Sequence, residues 1–500
     1  MSQAVLAQSA QDFPTSAHDA AQARVAIAAL AASCEPRVAF WERRFRSVLD
    51  EAVTPHGLGQ VIAGVDPADA LADGFALSLA PLFSGPDCLD YMSVEALTLR
   101  LARLLIADKA VALEVSGARP VVDTVREDAE APFNLANLPG RLAAALERFR
   151  LGFTPAALTI RCDHPDAKRM IRVRRPSASP ALHVRIDDAF MAAVRDGRPI
   201  PFHHRLGPAS ASPFGSSRAR RERMWVYGRV DARAWWRELV QCAYTDQSLI
   251  PVFDGRTGPA SPLAGAEAAD CVEPRLAQCA PAESARITLE IDLRRFIDGC
   301  GRLDRLRLAR SLGDALRLAD NLLDAVRWPL ASLRADAQVN RRVALHVAGL
   351  GDTVAALGLD PGHFTTLVCM TDTLGFIRSC VFRHSRRLAR RRAPFPALHA
   401  QRMIDLLPNS DLQAEVQQRI RQHATRHREL LVLSPFSVLP AAARGIDALP
   451  YFNLLPLLRF ADSVAFRADG RERQLTLEQY ERFLRLAWAA SMPESRRPVS

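Results

Sequence analysis

Short apolar runs alternate with longer stretches of helical period along most of this chain, and that alternation constrains the fold more than any single motif. The runs "KAVALEV" (109–115), "ALTIRC" (157–162), "LIPVF" (249–253), "RITLEIDL" (286–293) and "RRVALHV" (341–347) have strand length and are largely apolar on both faces. Strands of that kind suit a parallel sheet covered on both sides. Between them, "SVEALTLRLARLLIA" (93–107) reads as a helix capped by Ser93, and "DAFMAAVRDG" (188–197) as a helix closed by its glycine. "DARAWWRELVQCAY" (231–244) and "LDRLRLARSLGDALRLADNLLDAV" (303–326) are amphipathic, the second stopping before Trp328-Pro329. "PGRLAAALERFR" (139–150) predicts a further helix, and two more precede a strand at "ELLVLSPF" (429–436). A β-α-β-α order of this kind predicts an α/β fold with a largely parallel sheet or barrel. The Ala-rich, helical stretch at 17–52 sets off an N-terminal helical segment, residues 1–65, from an α/β domain over 66–500.

No apolar run approaches the ~20 residues a bilayer span needs, and the N-terminus lacks a basic stretch followed by an apolar core, so the expected location is cytoplasmic with no membrane role. Nine scattered cysteines without a Cys-x-x-Cys pair argue against a disulfide framework or a zinc ribbon, and no metal site is expected. The net charge of +10 gathers in "SRARRER" (217–223) and "RHSRRLARRR" (383–392). Either run could contact phosphate or nucleic acid, but without interleaved aromatic residues they read as a solvated loop and a solvated helix face. His203-His204 reads as a surface pair in a Pro/Arg loop, His164 as a turn residue, and Trp328 as packing the end of the long helix.

The segment "LADNLLDAVRWPLASLRADAQVNRRVALHVAGLGDTVAALGLD" (318–360) makes the reading specific. Asp320-Asn321, Leu323-Asp324, Trp328-Pro329-Leu330, Arg341-Arg342 and Gly349-Leu350-Gly351-Asp352 follow one another as in the ribonucleotide reductase catalytic chain, and the pattern is most similar to its adenosylcobalamin-dependent class II form. "RCDHPD" (161–166), "DDAFMAAV" (187–194), "WVYGRVDARAWWREL" and "LARRRAPFP" resemble family segments in the same order. The resemblance implies a ten-stranded α/β barrel of two parallel half-barrels, incomplete here at its C-terminal end, with a finger loop through the centre. Ala269-Asp270-Cys271-Val272-Glu273, followed by Pro274-Arg275-Leu276, resembles that loop, which then spans about residues 264–285.

By that resemblance Cys271 carries the thiyl radical that takes the 3′ hydrogen of a ribose, and Glu273 is the general base on the 3′ hydroxyl. In an extended segment residues i and i+2 point to one side, so both groups can face one sugar. The implied cofactor is adenosylcobalamin, which supplies the radical. Cys279 falls where the second member of the reducing cysteine pair is implied; Gly74 stands where the first is expected, with Cys88 the nearest substitute. Ser434 and Ser437 lie in the stretch "SPFSVLP" that resembles the substrate-phosphate loop, although Phe436, Val438 and Pro440 depart from its small, hydroxyl-bearing pattern. Ala269 replaces the loop asparagine, Asp108, Lys109 and Ala110 replace a glycine-rich turn, and a cysteine-bearing tail is not matched before Ser500.

These departures favour a degenerate paralogue of class II ribonucleoside-diphosphate reductase with a binding, regulatory or partner role. One alternative is a divergent active reductase that works with a second chain; another is a basic nucleic-acid-binding protein on the same scaffold. The implied partners are a ribonucleotide and an intact reductase chain or a second copy of this one; nucleic acid is the least expected.

Overall fold

The computed structural model describes residues 17–78, 91–107, 109–117, 120, 156–173, 181–206, 223–245, 249–253, 271–273, 278–349, 353–354, 356–359, 364–398, 424–432, 436–437, 451–452 and 481. They fall into two units, one holding the described residues within 74–256 and 268–283, the other those within 17–73 and 284–500.

The second unit begins with the expected N-terminal helices, α1 (Ala17–Ala32) and α2 (Val38–Glu51), followed by β1 (Val53–Pro55) and the short helices α3 (Leu58–Ile62) and α4 (Pro67–Ala70). Asp66 caps the last of these through its carboxylate, and Pro67 sits at the first helical position, where no N–H is needed. Gly57 has a positive φ and lies so close to the Ala70 carbonyl that a Cβ would overlap it, so both its conformation and its surroundings call for glycine.

The first unit is built on β2 (Phe75–Ser78), α5 (Tyr91–Ile106), β3 (Val111–Glu114), β4 (Ala156–Arg161), α6 (Ala167–Val173), β5 (Ala181–Ile186), α7 (Asp188–Asp196), β6 (Pro199–Leu206), β7 (Arg223–Asp231), α8 (Ala232–Thr245) and β8 (Leu249–Phe253). Strands β2, β3, β4, β5 and β8 pair in that order, all parallel, as one five-stranded sheet. Asp187 caps α7 through the Phe190 N–H. Gly197 closes the helix in the left-handed region, as the sequence predicts. α5 starts at Tyr91, so Ser93 lies within its first turn instead of capping it. Strands β6 and β7 form an antiparallel ribbon with a register shift at Phe202/His203. A two-stranded hairpin, β9 (Cys271–Glu273) with β10 (Gln278–Ala280), completes the unit.

The second unit resumes with β11 (Arg286–Asp292), α9 (Arg305–Ala325), α10 (Ala331–Asn340), β12 (Arg342–Ala348), α11 (Phe364–Arg392), β13 (Leu431–Val432), β14 (Phe436–Ser437) and β15 (Tyr451–Phe452). β11, β12 and β13 are parallel and β1 lies antiparallel along β11. Trp328 donates its indole N–H to the Leu323 carbonyl at 3.2 Å, locking the end of α9 as the Trp-Pro pair suggested. Among the described residues the parallel strands form one sheet of five and one of three, not a closed barrel of ten. The helix at 139–150 and the second helix expected before β13 lie outside the described residues. No helix among those described is long and apolar enough to cross a membrane.

Candidate functional site

The two faces of the five-stranded sheet differ in kind. On one, Phe75, Leu77, Val111, Leu113, Leu158, Ile160, Leu182, Val184 and Leu249 are buried apolar side chains. On the other, side chains stand in tiers because the strands are parallel and in register. Ala76, Ala112, Ala157 and Ala181 are aligned across β2, β3, β4 and β5. Two residues further toward the C-terminal ends come Glu114, Thr159, His183 and Ile250, and beyond them Arg161, Arg185 and Val252. Residues two apart on a strand share a face, so this surface runs from small and apolar to polar and then charged.

The β9–β10 hairpin lies on that face. Cys271 is fully buried against Ala76, Ala112, Ala157 and Ala181, while Val272 packs on Val252 and Ile250. The alanine tier explains the approach, since larger side chains there would hold the hairpin off the sheet. Glu283, after the hairpin, donates its backbone N–H to the Ala76 carbonyl at 2.8 Å and pairs through its carboxylate with Arg100 of α5. The segment that follows the hairpin is thereby tied to β2 and α5.

Glu273, two residues from Cys271, is also buried. Its carboxylate lies against Gly74, the residue before β2; a Cβ on Gly74 would overlap Glu273 Oε1 and stand 3.2 Å from its Cδ. Gly74 has φ +81°, a left-handed conformation that itself favours glycine. The structure therefore brings Cys271, Glu273 and Gly74 together. Cys279 is opposite Val272 in the hairpin, and Ala280 is opposite Cys271. The register of the hairpin thus pairs Cys279 with Val272 and not with Cys271. Ala269 and Cys88 lie outside the described residues.

Above the alanine tier, Glu114 accepts a hydrogen bond from the Ser116 N–H at 3.0 Å. Burial pushes its carboxyl above the ordinary range, although the Ser116 contact, Arg185 and Arg161 oppose that shift. Arg161 donates to Asp163 at 2.8 Å and to the His203 carbonyl at 3.3 Å, and the Asp166 N–H donates to His164 Nδ1 at 3.1 Å. The "DHPD" turn is thus a structural corner, as read. His203-His204 is not a surface pair: both sit in β6, with His204 buried and its ring 5.7 Å from that of His164. Pairing with β7 turns a Pro- and Arg-flanked stretch into a covered strand, which local composition could not reveal. Cys162 is buried, and desolvation pushes its thiol well up, as befits an inert core cysteine.

In the second unit, the motif residues of 320–342 make a buried ion network. Asp320 accepts from Arg341 at 2.7 Å, Arg392 at 2.8 Å and Arg426 at 3.1 Å, and lies 3.2 Å from His427 Nε2. Burial alone would raise its carboxyl; His427 and the guanidiniums of Arg341 and Arg426 outweigh it and hold Asp320 well below the carboxylate range. Arg341 also donates to Asp324 at 2.8 Å, and Asn321 donates to the Ala31 carbonyl at 2.9 Å and to Glu35 at 3.0 Å. Glu35 further binds Arg317 at 2.6 Å and pairs with Arg392. Arg392, at the end of the basic run on α11, therefore turns inward, whereas Arg383, Arg387, Arg390 and Arg391 are exposed as expected. The run at 217–222 lies outside the described residues. Ser437 is in β14, opposite Tyr451, while Ser434 lies outside the described residues.

Sequence reasoning found Cys271 and Glu273 as a pair but not the alanine tier beneath them, whose signal is one alanine at a matching point of four separate strands. Comparison with known proteins adds a second line of information. The family model described as "Ribonucleotide reductase, barrel domain" matches residues 154–439. The chain is 27% identical over 270 residues to the vitamin B12-dependent ribonucleoside-diphosphate reductase of Mycobacterium tuberculosis strain CDC 1551 / Oshkosh, covering 53% of this chain and 36% of that protein. It is 25% identical over 176 residues to a protein of the same name from Thermoplasma acidophilum, covering 34% of this chain and 22% of that one. The aligned part spans about a third or less of the length of these curated relatives.

Proposed function

The chain belongs to the ribonucleotide reductase family through its barrel domain, and from that premise we propose that it is a degenerate member of the class II line, which keeps the radical-site hairpin and acts by binding a ribonucleotide or by partnering an intact reductase chain. The observation that carries this reading is Gly74 against Glu273. The position beside the base carries no thiol, and the space a side chain would use there is filled by the carboxylate. The hairpin register pairs Cys279 with Val272 and not with Cys271, and Gly74 supplies no reducing partner for Cys271.

The matched relatives are named as B12-dependent. What Cys271 offers fits the receiving end of such chemistry: a thiol shut from water on an alanine floor. When bound, adenosylcobalamin would supply the initiating radical. Cys271 would present the sulfur to the substrate, and Glu273 would take the proton of a ribose hydroxyl. An anaerobic assay with adenosylcobalamin, dithiothreitol and each ribonucleoside diphosphate tests the reading. Nucleotide binding without deoxynucleotide formation is the expected result; deoxynucleotide formation that vanishes in Cys271→Ala overturns it.

A second reading, an active reductase completed by another chain, is favoured by the shared burial and shared face of Cys271 and Glu273. Deoxynucleotide formation that appears only on adding a dithiol-bearing partner protein would distinguish it.

A further inference from the structure

The polar tier beyond the alanines has a character of its own. Glu114, Thr159 and His183 are aligned on three adjacent strands and are all buried, on the face that holds Cys271. The opposite face at the same level is apolar, with Leu113, Leu158, Ile160, Leu182 and Val184. Thr159 is fully buried and its Oγ1 has no hydrogen-bond partner among the described residues. A buried hydroxyl left unsatisfied destabilises the fold, and valine would fill the same volume without that cost, so its presence points to use by something that binds.

We propose that Glu114, Thr159 and His183 form a tier that reads the hydrogen-bonding edge of the base of a ribonucleotide; this rests on the reading above that the sugar lies over Cys271 and Glu273. Two observations set the class of group. One residue pair along a parallel strand is roughly 6.6 Å, about the span from a ribose to the far edge of its base. A hydroxyl, an imidazole and a buried carboxyl can each donate and accept, which suits the amide and amine edges of bases. A phosphate would call for fixed cations, and these begin only in the next tier, with Arg161, engaged by Asp163, and Arg185.

Calorimetric titration of the full chain with the four common ribonucleoside diphosphates, and with ribose 5-phosphate as a probe without a base, tests the proposal. In Thr159→Val the melting temperature should rise, as the unpaired hydroxyl is removed. The preferred ribonucleoside diphosphate should bind about tenfold more weakly, the order among the four should change, and ribose 5-phosphate should be unaffected. His183→Gln, which keeps a donor and an acceptor in altered positions, should also change that order while retaining affinity for ribose 5-phosphate. Unchanged affinities and order in both variants would make the tier purely structural and overturn the proposal alone. Equal weakening of ribose 5-phosphate would overturn the assignment to the base. Failure of the native chain to bind any of the four would remove the proposal together with the ribonucleotide reading on which it rests.

Discussion

Glu273 occupies the space that a side chain on Gly74 would need. The two residues are far apart in the chain, yet the start of β2 and the first strand of the hairpin meet so closely that one position can hold a side chain only at the other's expense. Gly74→Ala therefore carries two costs, a non-glycine residue at positive φ, about 1–2 kcal/mol, and displacement of a buried carboxylate. In a Glu273→Ala background the second cost disappears, so the same substitution should be milder there. Urea unfolding of both single variants and the double variant should give a coupling of about 0.5–3 kcal/mol; additive effects would mean that Glu273 does not fill this space.

Ala112 is in the middle of the tier under Cys271. Ala112→Leu should cost about 1–3 kcal/mol by overpacking and should lift the hairpin. The readout is Cys271 itself, which is fully buried. Its reaction with a thiol reagent should be slow in the native chain and fast in Ala112→Leu, with Cys271→Ser identifying the signal.

Asp320 gathers Arg341, Arg392 and Arg426 in a buried site. Removing one charge from such a cluster leaves the others uncompensated, so Asp320→Asn should destabilise by about 3–5 kcal/mol. Asp314→Asn, at a pair whose arginine is exposed, should cost under about 1 kcal/mol in the same denaturation experiment.

Acid should weaken this unit in two stages. Burial holds His427 below the ordinary histidine value of 6.5, against the pull of Asp320. Unfolding then takes up a proton once the pH falls under 6.5, and stability declines from there down to the folded value. Asp320 is held well below 3.8, so its contribution is complete above 3.8 and is lost as pH falls through its folded value. His384, lowered by burial and by Arg387, adds to the first stage. Melting temperature should therefore fall below pH 6.5, and His427→Gln should flatten that part of the profile while leaving the lower one.

How much of this was legible beforehand follows from the range of each interaction. The glycine at 197 and the Trp328 lock at the end of α9 join residues within one or two turns, and local spacing shows them, whereas the Asp187 cap is seen only in the structure. Cys271 and Glu273 were legible as a pair through the resemblance of the stretch around them, and a two-residue step in an extended strand puts their side chains on one face. The motif residues Asp320, Asn321, Asp324 and Arg341 were recognisable as a pattern, but their use as a buried ion network was not, because Glu35, Arg392, Arg426 and His427 come from distant segments.

The sequence by itself determined the alternation of strands and helices, the family resemblance and the extended Cys-x-Glu strand, all of which follow from neighbours along the chain. Tertiary structure alone decided that four alanines from four strands would make the floor for Cys271. It also buried His204 and set Glu273 in the space left by Gly74. Those outcomes depend on register between strands and on close packing, which couple residues through space and leave no periodic trace in the order of the amino acids.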